Sequence, residues 1–268
     1  MNIVTPKIEL IASTTLTNMP EGGPKIEDWM RLDRNATDAE CLVEEAGRGC
    51  YESWDKKNPK TARNADYIRR TAFEMQHGSI LEHASATFRF SGVSRAWLTE
   101  MERHRHLSWS VVSQRYVDAN TFGVVVPPAL RDGDDVGGRV AWESEVARSF
   151  VIYDEWCSEL AFRGFPRKQA REAARSVLPN CTEVRGVVTG NLRAWSTILP
   201  LRAHPTADAE MQEVSRLIAD ALEPVAHTVV QHIKEQIAYA ELREERPARE
   251  AVLARRKRIG ERHNKEHA

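Results

Sequence analysis

The sequence has no C-x-x-C pair. Its 4 cysteines, Cys41, Cys50, Cys157 and Cys181, are scattered, which argues against a disulfide framework and fits a reducing cytoplasm. No stretch approaches the about 18–20 uninterrupted apolar residues that span a bilayer, and "MNIVTPKIEL" lacks a basic start followed by a long apolar run. A net excess of positive charge is missing too: 38 Lys plus Arg face 39 Asp plus Glu, so a general polyanion binder is disfavoured and any basic function must be local. Neither G-x-G-x-x-G nor G-x-x-x-x-G-K-[ST] occurs among the 14 glycines. A bound nucleotide would therefore have to be held by side chains.

What is present is a hydrophobic pattern spread over 268 residues with no Gly/Ser- or Pro-rich linker, which predicts one large domain with a sizeable core. Alternation predicts strands over Lys7–Thr14, His83–Gly92 and Thr182–Gly190. Helical spacing with capping residues predicts helices over Asp38–Trp54, Asn64–Gly78, Ser94–Arg105, Val136–Gly164, Pro166–Pro179 and Asn191–Arg202. A long helical pattern from Ala207 to Leu242 contains Pro224, where it should relax. The class is α+β, a small central sheet flanked by long helices. The division falls at residues 1–235 for the domain and 236–268 for a charged helical extension or tail.

Positive charge is concentrated in "RHRHLSWSVVSQRY", Arg103 to Tyr116, which is placed just beyond a helix end. Further arginines, Arg171 and Arg175, then Arg193 and Arg202, also sit at helix ends or turns. A guanidinium forks two parallel donors toward phosphate and stays charged at any working pH. With Ser108, Ser110 and Ser113 nearby, the stretch reads as an anion cradle. His104 and His106, or His77 and His83, fall short of the three or four ligands a zinc site needs, and Arg103 and Arg105 would repel a dication. No metal is assigned. Cys181, a small residue at a helix-to-strand junction, reads as packing and not as a nucleophile.

"RHRHLSWSVVSQRY" resembles the R-H-R-x7-S signature of the flavin-dependent thymidylate synthases, with Arg103, His104, Arg105 and Ser113 in the defining places. "HGSILEHASATFRFSGVSRAW", "KQAREAARSVLPN" and "VVTGNLRAW…LPLRA" occur in the family's order, and the resemblance covers roughly Ile8 to Ile233. It implies a mixed α+β homotetramer with active sites shared between subunits. It also implies FAD reduced by NADPH, methylenetetrahydrofolate as one-carbon donor, and methylation at C5 of dUMP.

By position, the resemblance assigns His77, Ser79, Glu82, Arg103, His104, Arg105, Asn191, Arg193 and Thr197 to the flavin. Glu100, Arg103, Ser113, Gln114, Arg115, Arg175 and Arg202 fall to the nucleotide, with Arg202 activating the uracil ring. The chain departs from its relatives at Ser110, Val111, Thr197 and Thr206, which lie in the family's pocket. Val111 loses a polar contact there, and UMP is the rival substrate this suggests. A non-catalytic nucleotide or RNA binder, using the arginines and the "ARRKRIGERHNK" tail, is the rival of another class.

Overall fold

The computed structural model describes residues 2–17, 36–54, 60–131 and 136–244. Its main sheet has the order β2-β3-β6-β4, formed by β2 (Lys7–Ser13), β3 (Ser85–Ser94), β4 (Ser108–Val111) and β6 (Glu183–Asn191). Every pairing in it is antiparallel. A two-residue parallel pair, β1 (Ile3–Val4) with β5 (Val124–Val125), stands apart. Along β3 the side chains alternate: Ala86, Phe88 and Phe90 are buried, while Arg89 is exposed. One face of the sheet therefore carries the core and the other stays open.

The helices are α1 (Asp38–Gly49), α2 (Asn64–Ile68), α3 (Arg95–Met101), α4 (Pro128–Arg131), α5 (Val136–Phe162), α6 (Arg167–Ala174), α7 (Leu192–Arg202), α8 (Ala209–Leu222) and α9, over 227–244. Their starts are chemically marked. Thr37 and Glu40 form a capping box on α1, and Ser94, Asn191 and Asp208 cap α3, α7 and α8. Trp195 and Leu199 of α7, Val214 and Ile218 of α8, and Val229 and Ile233 of α9 share one buried cluster with Phe88 and Phe90.

Three expectations change. The helical pattern over Ala207–Leu242 is two helices, because the turn at 223–225 contains Pro224, which lacks the N–H a continuous helix needs. The helix of Asn64–Gly78 passes into a π-helical turn, Arg69–Glu74, and ends before Gln76, whose φ is 59°. The helix of Ser94–Arg105 stops at Met101, and part of the basic stretch beyond it is a strand, β4. The division at residue 235 falls inside α9, whose Ile237 still belongs to the core. The tail's "ARRKRIGERHNK" lies outside the described residues.

Buried carboxylates tie the sheet's ends together. Glu183 accepts hydrogen bonds from the backbone of Gly92 (3.0 Å) and Gly123 (2.8 Å), and Glu210 accepts from Ser94 N (2.7 Å) and Ser94 Oγ (2.6 Å). The second pair fixes the residue that caps α3. The start of α3, the helix that leads to the basic stretch, is thus anchored to α8.

Candidate functional site

Arg103, His104 and Arg105 occupy the turn between α3 and β4, opposite the C-terminal end of α7. From that end Arg202 donates through Nε to His104 Nε2 (2.8 Å), through one terminal nitrogen to Glu100 Oε2 (2.7 Å), and through the other to Glu100 O (3.1 Å). The Arg202 side chain is 16% exposed and that of Glu100 is 45% exposed. Since a guanidinium can only donate, His104 Nε2 must accept, which places the imidazole proton on Nδ1. Burial, with the charges of Arg202 and Arg103 adding to it, pushes His104 below the ordinary imidazole value. It is a neutral ring of defined tautomer.

Beside it lies a cleft of about 450 Å³ lined by Glu82, His104, His106, Asn191, Arg193, Ala194, Thr197 and Ile198. Asn191 Oδ1 accepts from Ala194 N (2.8 Å), so the cleft's wall is the capped N-terminal turn of α7, the positive end of its dipole. Arg193 pairs with Glu82 across the cleft. Arg103 and Arg105 are exposed, and among the described residues their side chains have no partner. A second depression, of about 350 Å³, shares Arg193 and Thr197 with the first. Its wall includes Phe73 of the π-helical turn, stacked on His232 of α9 with centroids 3.7 Å apart.

Glu82, His104, Asn191, Arg193 and Thr197 line one cleft, with Arg103 and Arg105 in the same turn as His104. His77 and Ser79 belong to the turn that ends at Glu82, without lining the cleft themselves. Sequence reasoning passed over His106 and His232. The first was weighed only as a metal ligand; the second lies on a helix that read as core.

The remaining nucleotide residues lie elsewhere on the chain. β4 runs antiparallel to β6, with Ser108 opposite Thr189 and Val111 opposite Gly186, so it carries the chain about 10 Å away from the cleft before Ser113 begins. There Ser113 Oγ accepts from Arg115 N (3.4 Å), and Arg115 pairs with Glu172 of α6 at 3.4 Å. Gln114 is buried, and among the described residues its Nε2 has no hydrogen-bond partner. Arg175 follows α6 in a short turn, and among the described residues its side chain has no partner. Within one chain β4 stands between Arg103 and Arg105 on one side and Ser113 on the other.

The four departures also divide. Val111 packs against the hydrophobic core and Ser110 is exposed, so the contact expected to be lost at Val111 is not in this chain's cleft. Thr206 bonds to His204 Nδ1 (2.8 Å) in an exposed turn, and only Thr197 lines the cleft. Burial raises the Cys181 thiol to about 11, consistent with packing and not with an activated nucleophile. Among the described residues, no group of three His, Cys, Asp or Glu side chains is placed to hold a metal ion.

An antiparallel main sheet, a cleft at a helix N-terminus and arginines that are unpaired among the described residues, in place of a glycine-rich loop, define an α+β protein with a cationic cleft outside the dinucleotide-fold class. The family model described as "Thymidylate synthase complementing protein" matches residues 31–227. A probable flavin-dependent thymidylate synthase of Mycobacterium phage D29 is 45% identical over 231 residues, covering 85% of this chain and 96% of that protein. The flavin-dependent thymidylate synthase of Mycobacteroides abscessus is 42% identical over 221 residues, covering 80% and 84%.

The fold is shared with two solved structures. Thymidylate synthase X from Helicobacter pylori, crystallised with FAD and dUMP, has a TM-score of 0.59 at 19% identity and covers 85% of this chain and 98% of that one. The UMP/dUMP methylase PolB from Streptomyces cacaoi, bound with 5-Br UMP, has a TM-score of 0.62 at 21% identity and covers 88% and 96%. The chain belongs to the flavin-dependent thymidylate synthase family.

Proposed function

We propose that this protein methylates C5 of a uridine monophosphate, converting dUMP to dTMP, with FAD as cofactor and NADPH and methylenetetrahydrofolate as co-substrates. Arg202, fixed at the edge of the cleft by Glu100 and His104, carries this reading. A guanidinium beside a uracil carbonyl favours the electron-rich form of the ring, so C5 becomes nucleophilic without a cysteine adduct. The choice of dUMP over UMP follows the names of relatives such as those at 42–45% identity.

The cleft suits a flavin dinucleotide. Its diphosphate needs cations that are not already neutralised, and Arg103 and Arg105 are such cations beside the N-terminal turn of α7. Glu82, His104, Asn191, Arg193 and Thr197 would hold the cofactor, with His77 and Ser79 behind them. When bound, FAD would supply the redox chemistry of the methylation, with NADPH as the reductant and the folate as the one-carbon source. His104, neutral and Nδ1-protonated, offers a donor where a charged imidazole would compete with Arg202.

Ser113, Gln114, Arg115 and Arg175 complete the nucleotide site when a neighbouring copy brings them to the cleft, in a homotetramer. Supporting this, Val151, Trp156 and Phe162 of α5 are exposed, with Phe162 at 89%. No helix among the described residues is long and apolar enough to cross a membrane, and a cytoplasmic site of action is proposed. The test is the visible spectrum of the purified protein, followed by NADPH-dependent flavin reduction and methylation with dUMP and UMP in competition. Colourless protein that takes up no FAD refutes the reading, and a preference for UMP reassigns the substrate.

A further inference from the structure

We infer that Gln212 of α8 is a positioning residue for Arg202, holding the turn after α7 so that the guanidinium keeps its contacts with His104 and Glu100. The inference rests on the proposed function and names a residue outside the cleft on which that function depends. Arg202 is the last residue of α7, and Pro200, inside that helix, has no N–H to give the carbonyl of Ser196. The helical turn that carries Arg202 is one backbone bond short. Its position depends on what holds the chain beyond it.

That chain, 203–207, is held by α8. Both hydrogens of the Gln212 amide are used on it: Nε2 donates to Pro205 O (3.2 Å) and to Ala207 O (2.9 Å). One helical turn further on, Arg216 donates to Ala203 O (3.4 Å) and is itself bonded to Glu241 of α9 (2.7 Å). Residues four apart share a helix face, so the two side chains grip the turn from one side. The same helix holds the opposite wall. Glu210, in its first turn, accepts from Ser94 N and Oγ, and Ser94 caps the helix that carries Glu100. One rigid element therefore braces both partners of the Arg202–Glu100 contact and sets the separation of α3 from α7.

Gln212 does not line the cleft, so its effect on the reaction has to pass through Arg202. A guanidinium displaced by about 1 Å loses the alignment of its bonds to His104 and Glu100, and misplacement on that scale costs up to about 100-fold in rate. Gln212→Met keeps the length of the side chain and loses both donors. In flavin-free protein, nitrogen NMR of the imidazoles reads the contact directly: wild-type His104 should be the Nδ1–H tautomer, because Arg202 Nε–H occupies its Nε2. Gln212→Met should mix in the Nε2–H tautomer. It should also raise the titration of His104 toward the ordinary imidazole value, as the charge of Arg202 moves off.

In FAD-loaded Gln212→Met, kcat for dTMP formation should fall by about 10- to 100-fold while FAD affinity is retained. Introduced into Arg202→Lys, the same change should cost less than about threefold, since most of the contacts it protects are already lost. An equal loss in both backgrounds overturns the inference, as do unchanged His104 signals in Gln212→Met. Arg216→Met is the second variant if Gln212→Met does not fold. Its side chain is 40% exposed, and losing the bond to Ala203 O should move the same signals in the same direction by less; unchanged signals there overturn the inference. Wild-type protein that forms no dTMP overturns the proposed function, and the His104 tautomer then decides by itself whether Gln212 positions Arg202.

Discussion

Replacing Arg202 with Ala removes the three hydrogen bonds that join α7 to Glu100 and His104. The structural cost is modest, because Glu100 is exposed enough to rehydrate its carboxylate and His104 stays neutral. A loss of about 1–2 kcal/mol follows, which lowers Tm by about 2–8 °C in a domain of this size. The functional cost is of another order. If the guanidinium stabilises charge that develops on a uracil carbonyl, its removal costs about 10²–10³ in kcat, as loss of one preorganised donor does elsewhere. Arg202→Lys keeps the charge on one nitrogen, which cannot reach His104 and both Glu100 oxygens at once, and should fall between the two. The assay is dTMP formation by flavin-loaded protein, with the visible spectrum confirming that FAD is retained. An Arg202→Ala variant that binds FAD and turns over within about fivefold of wild type removes Arg202 from the mechanism.

Cys181→Ala should keep full methylation, and alkylation of Cys181 near neutral pH should be slow beside that of exposed Cys50, because burial holds the Cys181 thiol at about 11. Gly92→Ala should destabilise the protein by at least about 2 kcal/mol, since φ is 67° and an added Cβ would lie 1.9 Å from Thr5 O; chemical denaturation measures it. Burial raises the carboxyl of Glu210 above the ordinary carboxylate range, so its contribution is fully present below the unfolded value and is lost as pH rises through the folded one. Glu210→Gln cannot ionise and should show a shallower loss of stability over that window in urea titrations at several pH values. A slope equal to wild type would mean that Glu210 does not titrate differently in the folded state.

The parts of the fold legible in the sequence are those whose reason is local. β3 and β6 alternate over enough residues to reveal a period of two, and α1 and α7 show in their helical spacing, although the cap of α1 is Thr37 and not the Asp38 expected there. β4 is different: Ser108–Val111 is only 4 residues long, and what makes it a strand is its pairing with β6, from Val187 to Thr189 and beyond, far along the chain. Missing that strand had two consequences for the site. It made Arg103 and Ser113 look like neighbours, when β4 stands between them. It also hid the parity of Ser110 and Val111, because side chains alternate across a sheet and a residue's face cannot be known until its strand is. Register decides the matter: Val111 stands opposite Gly186, where an added Cβ would meet Ser110 O at 2.2 Å, and its side chain joins the core. An apolar residue there answers to packing. Of the departures from the family pattern, Thr197 alone borders the cleft, touching both depressions that flank Arg193. Within the chain's own cleft, a retuned ligand preference has to originate at Thr197.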